Sequence, residues 1–427
     1  MIISMKKVSI LVLLVINVFT VFSQEKYTLK QCIEQANQNN PLAAQIPLIE
    51  QNAALQKKIL NAGFLPQSSI GGSATWQSDV TSLPIKIPNM TVPTPPQDQY
   101  KATIDVVQNI WDGGITSGQK NMAQSLAKVE SQKVAVDLYQ IKDQVSALFF
   151  GILLSEKLIE NTDLIMKELS GKIEKVKASV QNGVAMKSSL LQLEAKLLDL
   201  KQQNTEAQLR KKSAIEALSL LAGKSLSVAD QFVTQDNISL SSNEIRRPEL
   251  AWFDSQSELQ NINSNLARAR NLPKISAFGT GGYGKPGLNF LASDFKTYFI
   301  GGVQLKVPLS YLYAGSQKNE IEQFGVNRKK IESLKQSFLL ASNIKLANQK
   351  AEIDRLQSLL DSDAKLVEIR TEIRKTADAQ LANGVISASD YITEVNNEIL
   401  ARQTLSIHQV QFLQAQANLK IITGEDF

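Results

Sequence analysis

The sequence predicts a mainly α-helical chain with a small β part, built twice on one plan. Three observations lead there. All 12 prolines fall between Pro41 and Pro96 or between Pro248 and Pro308, so Gln97–Arg247 and Leu309–Phe427 contain none. Short motifs recur at nearly constant offsets along the chain. Each copy also holds two segments whose apolar residues alternate with period two, the spacing of a β-strand.

Proline inside a helix costs about 3 kcal/mol, so the long proline-free stretches are where long helices can form. Their apolar residues agree. Val134, Leu138, Ile141, Val145, Leu148 and Ile152 step by four and three, as do Met186, Leu190, Leu193, Leu197 and Leu200, continuing through Ala207 and Ala214 to Leu218 and Leu221. Ile331, Leu334, Phe338, Ala341, Ile344, Ala347 and Ala351 repeat the pattern. A narrow seam rich in Ala suits long antiparallel helices of coiled-coil type. One helix from Ile115 to Gln181 would be about 100 Å long at about 1.5 Å per residue. Asn182-Gly183-Val184 and Asn383-Gly384-Val385 interrupt the two stretches. Asn-Gly ends a helix in the left-handed conformation, so each stretch reads as a helical hairpin.

The duplication keeps register along the whole chain. Asn40-Pro41-Leu42 returns as Arg247-Pro248-Glu249-Leu250, Leu65-Pro66 as Leu272-Pro273, Gln119-Lys120-Asn121 as Gln317-Lys318-Asn319, and Gly223 as Gly424. The first copy is placed at 24–226, with a β-hairpin near 67–112 and a helical hairpin near 115–222. Its extra residues fall in Ser78–Gln97. A polar linker at 227–247 precedes the second copy, 248–427, with a β-hairpin near 274–310 and a helical hairpin near 314–423.

Ahead of both copies, residues 1–23 have the features of an export signal. Lys6 and Lys7 precede an apolar run of 15 residues, Val8–Phe22, and Ser23-Gln24 follows as a small-residue exit. A membrane helix needs about 20 apolar residues, so neither this run nor any later segment is expected to span as a helix. No Cys follows the run directly, so no lipid anchor is expected.

Composition excludes several functions. The 427 residues include one Cys, Cys32, and one His, His408. A disulfide needs a second thiol, a structural zinc site needs about four ligands, and a nucleophilic triad would depend on that single His. No enzyme, metal site or cofactor is expected; Cys32 and His408 read as packed helix residues. The formal charge of +5 includes Lys6 and Lys7; without them 44 Lys and Arg face 41 Asp and Glu. Runs such as Lys172-Ile173-Glu174-Lys175 alternate in sign, as a solvated helix face does, and no nucleic-acid stripe is expected.

The period-two segments explain the export signal. Ile70, Ala74 and Trp76 alternate with Ser69, Ser73, Thr75 and Gln77; Tyr100, Ala102, Ile104 and Val106 alternate with Lys101, Thr103 and Asp105. In the second copy Ile275–Tyr283 is Gly-rich, and Val303, Leu305, Val307 and Leu309 alternate with Gln304 and Lys306. Gly279–Gly287 lies in this strand and its loop, not in a strand-to-helix turn that could cradle phosphate. Alternation alone fits both an ordinary sheet with one wet face and membrane strands, which need about 9–11 residues. Trp76, Tyr100, Trp111, Tyr283, Tyr298 and Tyr311 near the strand ends would suit interface girdles. Four strands cannot close a barrel, and an open edge in lipid leaves backbone groups unsatisfied. Chains would have to share one barrel.

Leu29–Pro41 (LKQCIEQANQNNP), Ala62–Pro66 (AGFLP), Val107–Gly114 (VQNIWDGG), the two Asn-Gly-Val turns and Arg247-Pro248-Glu249-Leu250 occur in an order that resembles the TolC family of outer membrane efflux and secretion channels. The resemblance spans the chain from about Tyr27 to Phe427. It implies a homotrimer with a shared 12-stranded β-barrel in outer membrane lipid and an α-barrel in the periplasm. It also implies a periplasmic adaptor and an inner-membrane pump of RND, ABC or MFS type as partners. Lys101, Thr103 and Asp105 would line the barrel lumen, while Asn182, Gly183, Val184, Asn383, Gly384 and Val385 would form the tips where the adaptor docks. Asp390 matches the first of two acidic positions at the family's periplasmic entrance; the second is Thr393 here, which thins the ring of charge. The function so implied is the outer membrane channel of a tripartite efflux pump or type I secretion system. An exported coiled-coil structural or adaptor protein is the alternative, but it gives no reason for two β-hairpins at matching points.

Overall fold

The computed structural model describes residues 25–82, 84, 93–234, 243–313 and 315–427. The expected export signal, part of the Ser78–Gln97 insertion and part of the linker lie outside the described residues. In chain order the elements are β1 (Lys26–Tyr27), α1 (Leu29–Asn39), α2 (Gln45–Ala62), β2 (Gln67–Trp76), β3 (Asp98–Trp111), α3 (Ile115–Gln181) and α4 (Lys187–Ala222). Then follow β4 (Gln231–Phe232), α5 (Pro248–Ala269), β5 (Lys274–Lys285), β6 (Lys296–Lys306), α6 (Ser316–Ala382) and α7 (Ala388–Thr423). The succession helix, two strands, a helix of 67 residues and one of 36 occurs twice.

Helix starts follow local chemistry. Thr28 Oγ1 accepts from the Gln31 amide at 3.3 Å while the Gln31 side chain accepts from the Thr28 amide at 2.9 Å, a reciprocal cap that starts α1. Asp112 accepts from the amides of Gly114 (2.9 Å) and Thr116 (2.7 Å), starting α3 directly after β3. Burial would raise the Asp112 carboxyl, but the bonds from Thr116 and Gly114 hold it below its ordinary value.

The chain forms two compact units. One holds the described residues up to Ala43 with Asp137–Arg247 and Leu340–Phe427; the other holds Ala44–Val136 and Pro248–Leu339. Each draws on both halves of the sequence, because a helix of 67 residues finds its lateral partners in the other half.

In the first unit, the α3 seam is buried at Val134 (just outside it), Ile141, Val145 and Ile152, and Phe149 packs edge-on to Phe150 at 5.5 Å. α1 and α4 close this core with Cys32, Ile33, Ile215 and Leu218. The linker is more than a polar connection. Its strand β4 pairs in parallel with β1, Lys26 with Gln231 and Tyr27 with Phe232, and Phe232 is buried against Tyr27 and Phe149. The Phe232 ring anchors it.

The second α6 stretch departs from expectation. Leu334, Ala341, Ile344, Ala347 and Ala351 are exposed, and the chain instead buries Ser342, Leu346 and Leu356. Of this seam Phe338 packs near Phe253, with ring centroids 6.0 Å apart, while Leu334 and the seam residues from Ala341 to Ala351 face solvent among the described residues.

The other unit contains the sheet, ordered β2-β3-β5-β6 and antiparallel throughout. β3 and β5 join the two hairpins, and β2 and β6 are open edges among the described residues. β6 stops at Lys306, short of Val307 and Leu309, because Pro308 has no amide to donate to a ladder.

Candidate functional site

The sheet register sorts residues by face. Lys101, Thr103 and Asp105 stand opposite Ser73, Gly71 and Ser69 of β2 and Gly284, Gly282 and Thr280 of β5, so they share one largely polar face. The other face carries Ile70, Ile104, Tyr283, Phe299, Val303 and Leu305, every one of them exposed, Ile70 by 86%. A bare apolar face on a sheet with two open edges needs a cover of lipid or protein. Tyr298 does not join this apolar band: it pairs with Gly282, on the polar face, where the missing Cβ makes room for its ring.

The two Asn-Gly-Val segments form matching helix ends. Val184 N donates to Ser179 O and Val385 N to Gln380 O, each at 2.8 Å, and Gly183 and Gly384 have φ of +76° and +70°. These are the cross-turn bonds of a left-handed helix stop. Both turns leave an apolar side chain in solvent, Val184 at 80% and Val385 at 69% exposed. Asn383 Nδ2 donates to Ala379 O at 2.9 Å, so Asn383 serves its own turn.

Asp390 lies in the first turn of α7. Its carboxylate accepts from the Ser387 hydroxyl (2.7 Å) and amide (3.0 Å), while Ser387 Oγ accepts from the Asp390 amide at 3.2 Å. These bonds from the Ser387 side chain and backbone hold the Asp390 carboxyl below its ordinary range. Thr393 donates its hydroxyl to Ser389 O at 3.0 Å. Asp390 shares a groove with Glu368, Glu372 and Glu394, lined also by Ile369 and Ile373. The sequence reasoning passed over these three glutamates, whose signal was their four-residue spacing from one another or from Asp390. Changing Ser387→Ala is expected to remove about 1 kcal/mol and fray the start of α7, read as faster amide exchange at residues 388–391.

A second group was not foreseen. Glu398 of α7 is fully buried and holds Arg374 of α6, Arg402 (2.7 Å) and the Thr371 hydroxyl (2.9 Å); Arg374 also reaches Glu168 of α3 at 2.9 Å. Burial would raise the Glu398 carboxyl, but Arg402, Thr371 and Arg374 hold it below its ordinary value. Lys172, expected on a solvated face, is buried instead: its ammonium pairs with Asp378 Oδ1 at 2.9 Å and donates to Asp378 O at 3.1 Å. A charge-sign pattern cannot tell a wet face from one that meets another helix. α3, α6 and α7 are thus tied together by charge.

His408 Nδ1 lies 2.6 Å from Asp363 Oδ2, linking α7 to α6. Cys32 is fully buried, and burial pushes its thiol up to about 12. Among the described residues no group of three His, Cys, Asp or Glu could hold a metal ion, and no helix is long and apolar enough to cross a membrane.

Comparisons with known proteins agree with this geometry. Residues 32–224 match the family described as outer membrane efflux protein. The fold is similar to the Campylobacter jejuni CmeC outer membrane channel (17% identity, 93% of this chain and 86% of that one, TM-score 0.65). It is also similar to the outer membrane protein VceC from Vibrio cholerae (15%, 93% and 96%, 0.67) and the Neisseria gonorrhoeae MtrE outer membrane channel (16%, 93% and 89%, 0.67). No curated protein sequence matches the chain. The TolC-family resemblance read from the sequence agrees with these matches: residues 32–224 match the outer membrane efflux protein family, and the fold is similar to that of outer membrane channels.

Proposed function

We propose that the chain is the outer membrane channel of a tripartite efflux pump or type I secretion system. Three copies would pool four strands each into a 12-stranded barrel, with the helices continuing the conduit through the periplasm. One observation carries this reading: a four-stranded sheet with an exposed apolar face and, among the described residues, two unpaired edges. In lipid both edges must pair, and only closure with other copies pairs them all. The exposed Leu334 and Ile344 of α6 give the helices their own reason to meet a second copy.

A conduit needs a wall that is closed, wet inside and able to constrict. Lys101, Thr103 and Asp105 line the wet side in this reading, and Asp390 contributes one carboxylate per protomer at the entrance. Opening would part α6 and α7 from α3, against the charge network at Glu398. The test is outer membrane fractionation followed by electrophoresis with and without heating. An SDS-resistant, heat-dissociable trimer is expected, whereas a soluble monomer would end the proposal.

The exposed valines of the two turns are the proposed contacts with a periplasmic adaptor. Val184→Asp and Val385→Asp are each expected to weaken adaptor binding by about tenfold while leaving trimer yield unchanged. Adaptor pull-down and substrate export from cells measure this; full export by the double variant would remove the valines from the docking surface.

A further inference from the structure

Charge on the sheet is sorted by face, although Phe278 and Ile300 share the polar one. Following the register, Lys101 of β3, Lys274 of β5, and Lys296 and Lys306 of β6 all stand on the face of Thr103 and Asp105. Among the described residues the ion pair on these strands is Lys285–Asp98 at 2.9 Å, and it lies on the opposite face. Asp105 is the one strand carboxylate on the lysine face, and it is occupied by the hydroxyls of Thr103 (3.0 Å) and Thr280 (2.6 Å). Four ammoniums thus face one carboxylate.

This arrangement works against the sheet. Lys274 and Lys306 are directly opposite in the ladder, where like charges destabilise a pair. Lysines on edge strands block unwanted strand addition, but Lys101 and Lys274 sit on inner strands. Lysines that anchor a protein to a lipid surface flank its apolar face, and these stand on the polar one. Nor could a second copy neutralise them by pairing at the open edge, since β2 contains no charged residue.

We infer that this face is a selectivity surface for anionic solutes. The inference rests on the channel reading and adds the class of permeant to it. Repeated around a shared barrel, the lysines make rings of positive charge that concentrate anions and anionic substrates in the outer membrane section and repel cations.

The test is reversal potential in planar bilayers holding the full chain under a KCl gradient near 0.1 M, where fixed charges act over about 10 Å. Removing the charges by Lys101→Gln, Lys274→Gln, Lys296→Gln and Lys306→Gln together should lower the chloride-to-potassium permeability ratio by about threefold or more. The effect should fade near 1 M, where the screening length is about 3 Å. A second arm leaves assembly untouched: Lys101→Cys or Lys296→Cys protein is labelled after insertion with an anionic or a neutral methanethiosulfonate. Cys32 is fully buried and stays silent. The anionic label should move the ratio further toward potassium than the neutral one. A ratio unchanged in both arms overturns the inference while leaving the channel reading intact. No conductance from the unaltered chain overturns the channel reading, and this inference with it.

Discussion

Replacing Glu398 with alanine is expected to remove about 3–5 kcal/mol of folding stability, because it strips a buried guanidinium of a partner. Arg374 is 8% exposed and would keep only Glu168 as a charged partner beside Tyr391, while Arg402 and Thr371 would lose their shared acceptor. Glu398→Gln keeps the hydrogen-bond acceptor without the charge, so its loss should be clearly smaller. Thermal unfolding of the detergent-purified chain measures both; an alanine variant within 1 kcal/mol of the parent, against this estimate, would show the network is loosely held. The pH dependence follows from the direction of the shift. The folded-state carboxyl lies below its unfolded value, so its contribution is complete above the unfolded value and is lost as pH falls through the folded one. Acidification below the ordinary carboxylate range should therefore loosen α3, α6 and α7 before it disturbs the apolar cores.

The second large effect is expected at Gly424, which stops α7 with φ +88°. A Cβ there would fall 2.7 Å from the Arg246 carbonyl carbon and 2.8 Å from the Arg247 amide nitrogen, backbone atoms that cannot swing aside. The Arg246 amide also donates to Thr423 O, which pins that segment in place. Gly424→Ala should thus combine left-handed strain of about 1–2 kcal/mol with overpacking of about 1–3 kcal/mol. Gly384→Ala is the matched control: φ is +70°, but its Cβ would meet nothing within 4 Å, so only the strain applies. Chemical unfolding of the two variants separates the contributions. Equal losses would show that the junction with Arg246 and Arg247 yields.

These cases also show what a sequence can reveal. Gly223 and Gly424, the Asn-Gly-Val turns and the empty proline map were legible because each reflects a local backbone rule. The ends of α3 therefore agree with the helix read at 115–181, and α6 ends at Ala382, directly before the Asn383-Gly384-Val385 interruption. Alternation separated the two faces of β3 for the same reason. What stayed hidden depends on neighbours far along the chain. Lys172 and Glu398 look like ordinary surface charges until Asp378, Arg374 and Arg402 are placed beside them. Tyr298 looked like a girdle aromatic until its opposite residue proved to be Gly282. Asp390 was found by resemblance, yet its bond to Ser387 is a local capping pattern that could have been read directly.

The short β1–β4 ladder bears on how such a chain matures. Lys26 pairs with Gln231, and Arg246, a few residues further on, bonds to Thr423 near the last helix turn. The earliest and latest described segments thus both wait for the middle of the polypeptide. Contacts of such wide separation form slowly, and a partly synthesised chain would lack its closing partners. The amino-terminal strand thus gains its pairing partner only once the segment around Gln231 is present.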